Sequence, residues 1–241
     1  MISADENQLL TQISPNTPCG ELLRRYWQPV ALSEELPNGG APLKVKILGE
    51  ELVLFRDDQG RLGLIGLHCS HRSTDLSYGR IEDGGLRCLY HGWLYDVCGR
   101  VLEQPGEPGG GAHRQEIRHL AYPCQEVGGI ILTYMGPGEP PLLPNYEFLT
   151  VPAEYRTATK IFHGCSYLQG NEGNIDPVHL SFLHQCLDEA QFARRRTVPG
   201  STVTDNTLLG EDIAPTIDVE VTDYGLRLPE IVQQLNEEAT P

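Results

Sequence analysis

Short apolar runs separated by turn-forming residues fill the first half of the chain. Residues 44–48, 52–55 and 62–67 are rich in Leu, Val and Ile, and polar segments containing Gly lie between them at 49–51 and 57–60. Runs of this length, bounded by Gly and Asp, are typical of β-strands joined by tight turns. The pattern predicts a meander of short antiparallel strands.

The same pattern continues towards the middle of the chain. Residues 81–87 indicate a strand, a turn and a second strand, the turn at 98–100 is flanked by apolar residues, and 128–134 is an apolar strand. A cluster of Gly and Pro at 136–141 then interrupts the pattern. We therefore expect a β-rich domain over residues 20–140.

Helical signals are fewer. Near the start, Thr17 can cap a short helix that has Pro18 in its first position and continues over residues 21–26. Much later, residues 168–195 have helical character, with an interruption around Asp176 and the proline that follows it.

Residues 156–166 have strand character, and β-patterns return at 216–222 and 226–228. The predicted fold class is therefore α+β. An antiparallel β-rich domain precedes a second domain, residues 141–241, that begins a helix-on-antiparallel-sheet arrangement.

Charge and composition exclude some classes of partner. The formal net charge over 241 residues is −15, which argues against nucleic acid or an anionic membrane as a partner, because both attract basic proteins. The start of the chain has no signal-peptide pattern, and no window approaches the ~18 apolar residues that span a bilayer. An odd number of cysteines, seven, suits a reducing compartment. We therefore expect a cytoplasmic protein.

The most informative chemistry lies in two short segments, Cys-Ser-His at 69–71 and Cys-Leu-Tyr-His at 88–91, with sixteen residues between them. Two thiols and two imidazoles in this order are the ligand pattern of a Rieske [2Fe–2S] cluster, in which two histidines replace two cysteines on one iron. Each segment supplies one ligand of each kind. The predicted ligands are Cys69 and Cys88 for one iron, and His71 and His91 for the other.

Two simpler interpretations compete with the cluster. A structural zinc ion also takes two Cys and two His, but zinc modules usually pair Cys with Cys and His with His at short spacing. Core histidines with unrelated thiols would not be expected as two ordered pairs. The Gly92-Trp93 pair after the second segment also fits a cluster, because a glycine lets backbone amides approach the sulfurs and an indole can shield them.

A second candidate metal site lies at residues 176–184, where the sequence is Asp-x-x-His-x-x-x-x-His. Two histidines and one carboxylate are the ligands of non-haem Fe(II) oxygenases. His179 and His184 are the predicted histidine ligands. Positions five apart lie ~140° apart on a regular helix, so both reach one metal only if the helix is interrupted. The alternative is that both are ordinary, partly buried histidines.

Together these motifs resemble the α-subunits of Rieske non-haem iron aromatic-ring-hydroxylating oxygenases, in particular the phthalate dioxygenase-like branch. Arg-Arg-Tyr-Trp-Gln-Pro-Val at 24–30 and Tyr-Met-Gly-Pro at 134–137 contribute to the resemblance, which extends from about residue 20 to about residue 228. The resemblance implies one [2Fe–2S] cluster per chain and a mononuclear Fe(II) that activates O2. The reaction would be hydroxylation, dihydroxylation or O-demethylation of an aromatic compound.

The resemblance also implies partners. Electrons from NADH would arrive through a separate reductase, with or without a ferredoxin, and the subunits would form a homotrimer or a mixed trimer. In this family a cluster histidine bonds an aspartate beside the neighbouring subunit's iron, and the matching positions are His91 and Asp176. The alternative role for Asp176 is a helix N-cap before Pro177.

One feature departs from the family pattern. The third ligand of the mononuclear iron is an acidic residue far downstream in the family, whereas this chain ends 57 residues after His184. None of the later acidic residues lies where the pattern places that ligand, and none is assigned. These acidic residues are Asp188, Glu189, Asp205, Asp212, Asp218 and Asp223.

We therefore expect a C-terminally truncated α-subunit. The alternatives are a Rieske ferredoxin-like electron carrier, an inactive truncated oxygenase subunit, and a regulatory or assembly subunit that joins full-length relatives in mixed trimers. A respiratory-type Rieske protein is disfavoured, because segments 70–75 and 89–90 contain no spare cysteines for the disulfide between its ligand loops.

Overall fold

The computed structural model describes residues 2–176, 178–183, 216–223, 225–227 and 230–231. The chain divides into two compact units, Met1–Phe162 and His163–Pro241. The boundaries predicted from the sequence, 20–140 and 141–241, stay a prediction.

The first unit is an antiparallel β-structure preceded by two short helices, α1 (Ala4–Thr11) and α2 (Pro18–Leu23). Its strands are β1 (Trp27–Leu32), β2 (Leu43–Ile47), β3 (Glu50–Arg56), β4 (Leu62–Gly66), β5 (Arg80–Glu82), β6 (Gly85–Arg87), β7 (Leu94–Tyr95), β8 (Val101–Glu103), β9 (Ala121–Tyr122), β10 (Cys124–Val127) and β11 (Ile130–Tyr134).

The strands of this unit form three antiparallel sheets. Their strand orders are β2-β3-β4-β9, β5-β6-β7-β8 and β1-β11-β10. The predicted meander over 44–67 is the first three strands of the first sheet. The β-rich fold class predicted for this region is confirmed.

The position of strand β3 between two buried clusters explains why its sequence is continuously apolar instead of alternating. Val53 and Phe55 belong to one buried cluster, whereas Leu52 and Leu54 belong to another. Since successive side chains of a strand point to opposite faces, a strand buried on both faces needs an apolar residue at every position. The sheet β2-β3-β4-β9 therefore separates two cores.

The β5–β6 hairpin confirms the predicted strand, turn and strand at 81–87. Asp83 and Gly84 at its tip have φ values of 51° and 76°, and the Asp-Gly sequence suits a two-residue turn with positive φ at both positions. Gly85 follows, and a Cβ there would lie 2.2 Å from the carbonyl oxygen of Tyr95 on β7. Only glycine allows this approach.

The N-terminal helices agree with the sequence in part. Thr17 caps α2 by accepting a hydrogen bond from the Gly20 amide, with Pro18 in the first turn, as predicted. The helix ends at Leu23, short of the predicted residue 26. Helix α1 was not predicted, although Ser3 and Glu6 form a capping box at its start.

The second unit is described over fewer residues. Its elements are helices α3 (Tyr167–Ile175) and α4 (Leu180–Leu183) and strands β12 (Thr216–Ile217), β13 (Glu220–Thr222), β14 (Gly225–Arg227) and β15 (Glu230–Ile231). Strand β12 pairs with β15 and β13 pairs with β14, both antiparallel. The predicted interruption of the helix is confirmed between Ile175 and Leu180.

The strand predicted over 156–166 is wrong. These residues form no strand, and Ile161 and Phe162 within them are 79% and 91% exposed. Apolar residues favour a strand only when a neighbouring strand or core is present to receive them.

In the described part of the chain, no helix is long and apolar enough to cross a membrane.

Candidate metal centre

Two loops of similar construction carry the predicted cluster ligands. In the first, the Cys69 amide donates to the Thr74 carbonyl at 2.9 Å and the Ser73 amide donates to the Cys69 carbonyl at 2.8 Å. In the second, the Cys88 amide donates to the Trp93 carbonyl at 2.8 Å and the Gly92 amide donates to the Cys88 carbonyl at 3.1 Å. Each loop is a tight turn that ends just after its ligands.

Each turn contains a residue with positive φ, Ser73 at 55° and Gly92 at 74°. Glycine adopts this conformation without steric cost, whereas other residues rarely do. The geometry of the second loop therefore favours Gly92 in two ways, since a Cβ there would also lie 2.8 Å from Cγ of Pro105.

The two cysteines meet within the core of the first unit. Cys69 and Cys88 are 3% and 2% exposed and belong to the same apolar cluster. Burial raises the pKa of the Cys88 thiol, and its contact with Cys69 raises it further, whereas hydrogen bonds from the amides of Tyr90 and His91 lower it. Two adjacent thiols with aligned amide donors suit an iron that needs thiolate ligands.

The two histidines also meet, closer to the surface. The ring centroids of His71 and His91 are 4.6 Å apart. The His71 ring stacks on Trp93 with centroids 4.9 Å apart and planes 2° from parallel. The ring of His91 is exposed and packs on Tyr90 at 3.9 Å. The imidazole pair therefore faces outwards while the thiol pair faces the core.

The His71 Nδ1 atom tests whether a metal group fits these residues. It is buried and has no hydrogen-bond partner among the residues that the structure describes, while Nε2 on the same ring lies 3.7 Å from Oε1 of Glu107. A buried ring nitrogen without a partner costs free energy unless a ligand takes it up. The donors present, two thiols and two imidazoles, fit a [2Fe–2S] cluster with two protein ligands on each iron.

The same geometry bears on the zinc alternative. Within the described residues, no three His, Cys, Asp or Glu side chains are grouped so that they could hold one metal ion. The order of the ligands in the sequence disfavours zinc, because each segment supplies one Cys and one His, whereas zinc modules usually pair Cys with Cys and His with His.

Three residues around the loops were not identified from the sequence. Tyr95 is fully buried, its hydroxyl lies 3.1 Å from the Cys69 sulfur, and burial above all raises its pKa. His119, 7% exposed, lies 2.7 Å from the Ser70 hydroxyl. Burial lowers the pKa of His119. No local motif marks either residue, because their partners lie 26 and 49 positions away.

Arg87 is the third residue. It is 9% exposed and its guanidinium donates to the Gly92 carbonyl at 2.9 Å, next to the second ligand loop. It also pairs with three carboxylates, which are those of Glu82, Asp83 and Glu103. A buried charge is expected to have such partners, but the sequence could not show which ones.

The second predicted metal site is described only in part. Asp176 ends α3, and its carboxylate lies 3.4 Å from Nδ1 of His179 and accepts a hydrogen bond from the Val178 amide at 2.9 Å. The bond to Val178 is the kind of local contact expected of a capping residue. His184 and Pro177 lie outside the described residues. The predicted ligand roles of His179 and His184, and the contact between His91 and Asp176, stay predictions.

Comparisons with known proteins agree with the arrangement of the two loops. A model of the Rieske [2Fe–2S] domain family matches residues 26–121. The phthalate 4,5-dioxygenase oxygenase subunit of Pseudomonas putida is 38% identical over 249 residues, which cover 100% of this chain and 54% of that protein. The phenoxybenzoate dioxygenase subunit alpha of Ectopseudomonas oleovorans is 41% identical over 232 residues, 90% of this chain and 53% of that protein.

A third relative is the 5,5'-dehydrodivanillate O-demethylase oxygenase subunit of Sphingobium sp. (strain NBRC 103272 / SYK-6). It is 40% identical over 187 residues, 76% of this chain and 44% of that protein. The resemblance inferred from the motifs is confirmed. The chain spans about half the length of the curated relatives that it matches.

Proposed function

We propose that this chain, whose residues 26–121 form a Rieske [2Fe–2S] domain, is an oxygenase component that holds its cluster through Cys69, His71, Cys88 and His91. Its electrons would serve a mononuclear Fe(II) that activates O2 for hydroxylation, dihydroxylation or O-demethylation of an aromatic compound. The observation that carries the proposal is the pairing of two buried thiols with two adjacent imidazoles, one of which has a buried nitrogen without a partner.

The residues of the chain have separate tasks in this proposal. When bound, the cluster supplies one-electron transfer. Trp93 stacks on His71 and shields that ligand from water, and the core around Cys69 and Cys88 does the same for the thiolates. His91 is exposed and offers the edge at which a redox partner can approach.

The oxygenase activity is supported by the second motif and by the relatives. Asp176 and His179 lie within 3.4 Å of each other, and a carboxylate beside an imidazole can orient the ring as a metal ligand. We assign His179 and His184 to the mononuclear iron and Asp176 to relaying electrons between the two metal sites. The similar proteins are named for phthalate, phenoxybenzoate and dehydrodivanillate, which supports an aromatic substrate.

The partners follow from the same proposal. The oxygenase component receives electrons that originate from NADH through a reductase, with or without a ferredoxin, and it assembles as a homotrimer or a mixed trimer. The Rieske domain would cover residues 20–140 and the beginning of the iron-binding domain residues 141–241. We place the protein in the cytoplasm.

Iron and acid-labile sulfide per chain test the cluster first. Protein purified without oxygen and supplied with Fe(II) should contain about two sulfides and about three irons, of which about two belong to the cluster. Cys88→Ser should remove the cluster. Cys98→Ser is the matched control, since Cys98 is exposed and outside the loops, and it should leave both counts unchanged. A cluster retained in Cys88→Ser would contradict the ligand assignment.

The mononuclear iron is tested with histidine variants of the same protein. His179→Ala should lose about one iron, keep the visible spectrum of the cluster and form no product. His113→Ala is the control, because His113 is exposed, lies outside both predicted metal sites and has its Nδ1 3.2 Å from Oε1 of Glu116. If wild-type protein holds only about two irons, the oxygenase proposal fails and the electron-carrier alternative is favoured. If His179→Ala still forms product, the assignment of His179 to the mononuclear iron is wrong.

A further inference from the structure

His119 is a buried histidine that belongs to neither predicted metal site. Both of its ring nitrogens are hydrogen bonded: Nδ1 lies 2.7 Å from the Ser70 hydroxyl, and Nε2 lies 2.7 Å from the Gly66 carbonyl oxygen. Ser70 stands between two predicted cluster ligands, Cys69 and His71. The ring thus joins the end of β4 to the first ligand loop.

The backbone is shaped to receive this ring. The His119 amide donates to the Gly99 carbonyl at 2.9 Å, and a Cβ on Gly99 would lie 2.2 Å from the His119 carbonyl oxygen. A Cβ on Gly66 would lie 3.2 Å from Nε2 of the ring. Two glycines therefore leave the space that His119 occupies, and its position is set by β4 and by the segment before β8.

The groups at the two ends of this hydrogen-bonded network, the Gly66 carbonyl and the Cys69 sulfur, determine where its protons lie. The Gly66 carbonyl can only accept, so Nε2 of His119 carries the proton and Nδ1 accepts from the Ser70 hydroxyl. At the other end, the Ser70 amide donates to the Tyr95 hydroxyl oxygen at 3.1 Å. The single Tyr95 proton is then available for the Cys69 sulfur, 3.1 Å away.

We infer that His119 is a positioning residue for the cluster: it fixes Ser70, Ser70 fixes the Tyr95 hydroxyl, and Tyr95 donates its hydrogen bond to the sulfur of Cys69. A hydrogen bond to a ligand sulfur stabilises the more negative, reduced cluster and raises its potential. Only the last two bonds, from the Ser70 amide to the Tyr95 hydroxyl and from that hydroxyl to the sulfur, are in series and strengthen each other; His119 acts by holding Ser70 in place. The inference rests on the ligand assignment of the proposed function.

Asparagine and glutamine separate the two bonds of His119. His119→Asn keeps an acceptor near the position of Nδ1 and loses the bond to Gly66, whereas His119→Gln keeps a donor near Nε2 and loses the bond to Ser70. We expect His119→Gln to shift the reduction equilibrium about fivefold towards the oxidised cluster, the typical weight of one hydrogen bond. This equals a decrease of ~40 mV, since tenfold is ~59 mV for one electron. His119→Asn should stay near wild type.

Ser70→Ala tests the same hydrogen bond from its other end. Since the effect of His119 passes through the Ser70 hydroxyl, Ser70→Ala should lower the potential as much as His119→Gln, and the double variant should lower it no further. Ser70 lies at the surface, so this variant keeps the test valid if a His119 variant does not fold. The potential is read from a redox titration of the visible spectrum of the cluster, and EPR of the reduced protein checks the ligand environment.

The outcomes separate this inference from the proposed function. Wild-type protein without the cluster spectrum would refute the ligand assignment itself. A loaded cluster with an unchanged potential in both Ser70→Ala and His119→Gln would refute the positioning role, even if both variants melt at lower temperature. Equal shifts in His119→Asn and His119→Gln would also refute it, because packing and not the Ser70 bond would then be responsible.

Discussion

Replacing Arg87 by methionine removes the side chain that ties the second ligand loop to the β5–β6 hairpin. Arg87 is the last residue of β6 and immediately precedes Cys88, and its guanidinium donates to the Gly92 carbonyl on the far side of the loop at 2.9 Å. Methionine retains much of the length of the stem but has no donor. We expect the variant to be less stable and to lose its cluster faster.

The magnitude follows mainly from the bond to Gly92. A hydrogen bond from a charged donor contributes about 1.5–3 kcal/mol. The carboxylates that pair with Arg87 are 34% to 67% exposed, so solvent screens these pairs and they add little. A loss of about 2–3 kcal/mol corresponds to a fall of about 5–10 °C in Tm for a domain of this size.

Thermal unfolding by circular dichroism and the decay of the visible cluster spectrum measure the two effects. Arg80→Met is the control, because Arg80 is exposed and, among the described residues, forms an ion pair with Glu82 alone, at 3.1 Å. Its loss should change stability by less than about 0.5 kcal/mol. An Arg87→Met protein that melts within about 1 °C of wild type and retains its cluster as long would refute the reasoning.

Three further predictions concern the same core. Tyr95→Phe removes the hydroxyl next to the Cys69 sulfur and should lower the potential of the cluster by about 40–60 mV in a redox titration; an unchanged potential would mean that this bond does not act on the sulfur. Because burial lowers the pKa of His119 below its ordinary value of 6.5, its contribution to stability is present above pH 6.5 and is lost as the pH falls towards the lower, folded value. Tyr95, whose ring packs on His119 with centroids 4.6 Å apart, stays neutral in this range because burial raises its pKa. The free energy of unfolding in urea should therefore differ less between pH 7.5 and pH 5.5 in His119→Leu than in wild type. Equal differences in the two proteins would contradict the assignment of this pH dependence to His119. Gly85→Ala should lower the free energy of unfolding in urea by about 1–3 kcal/mol, since its Cβ would lie 2.2 Å from a carbonyl oxygen. Gly106→Ala should leave that free energy unchanged, because nothing lies within 4 Å of the added Cβ.

The sequence predicted those features that local patterns determine. The continuous apolar run of β3 and the Asp-Gly turn before Gly85 depend on neighbouring residues, and both predictions were confirmed. The same holds for the Thr17 cap. Helix α1 was missed even though its capping box is local, because none of its residues is buried and it therefore has no apolar face to reveal it.

Features that depend on distant residues could not be predicted in this way. His119 acquires its role from Ser70, 49 positions earlier, and from Gly66, 53 positions earlier. The strand expected at 156–166 failed for the same reason, since its apolar residues have strand propensity but no partner strand. The spacing of the cysteines and histidines indicated which thiols and which imidazoles would lie together, and the structure brings them together. The same spacing could not indicate the side chains that support the two loops.

The two ligand loops are supported by chemically different devices, and the difference follows from where each loop lies. The first loop is held by His119 and Tyr95, which are neutral near pH 7 because burial lowers the pKa of His119 and raises the pKa of Tyr95. The second is held by a cation whose carboxylate partners reach solvent. Salt near 1 M reduces the Debye length to about 3 Å, so it should weaken the carboxylate pairs of Arg87 while leaving the neutral bonds intact. We expect high salt to lower Tm by less than Arg87→Met does, because the bond to the Gly92 carbonyl survives, and to leave the potential of the cluster nearly unchanged.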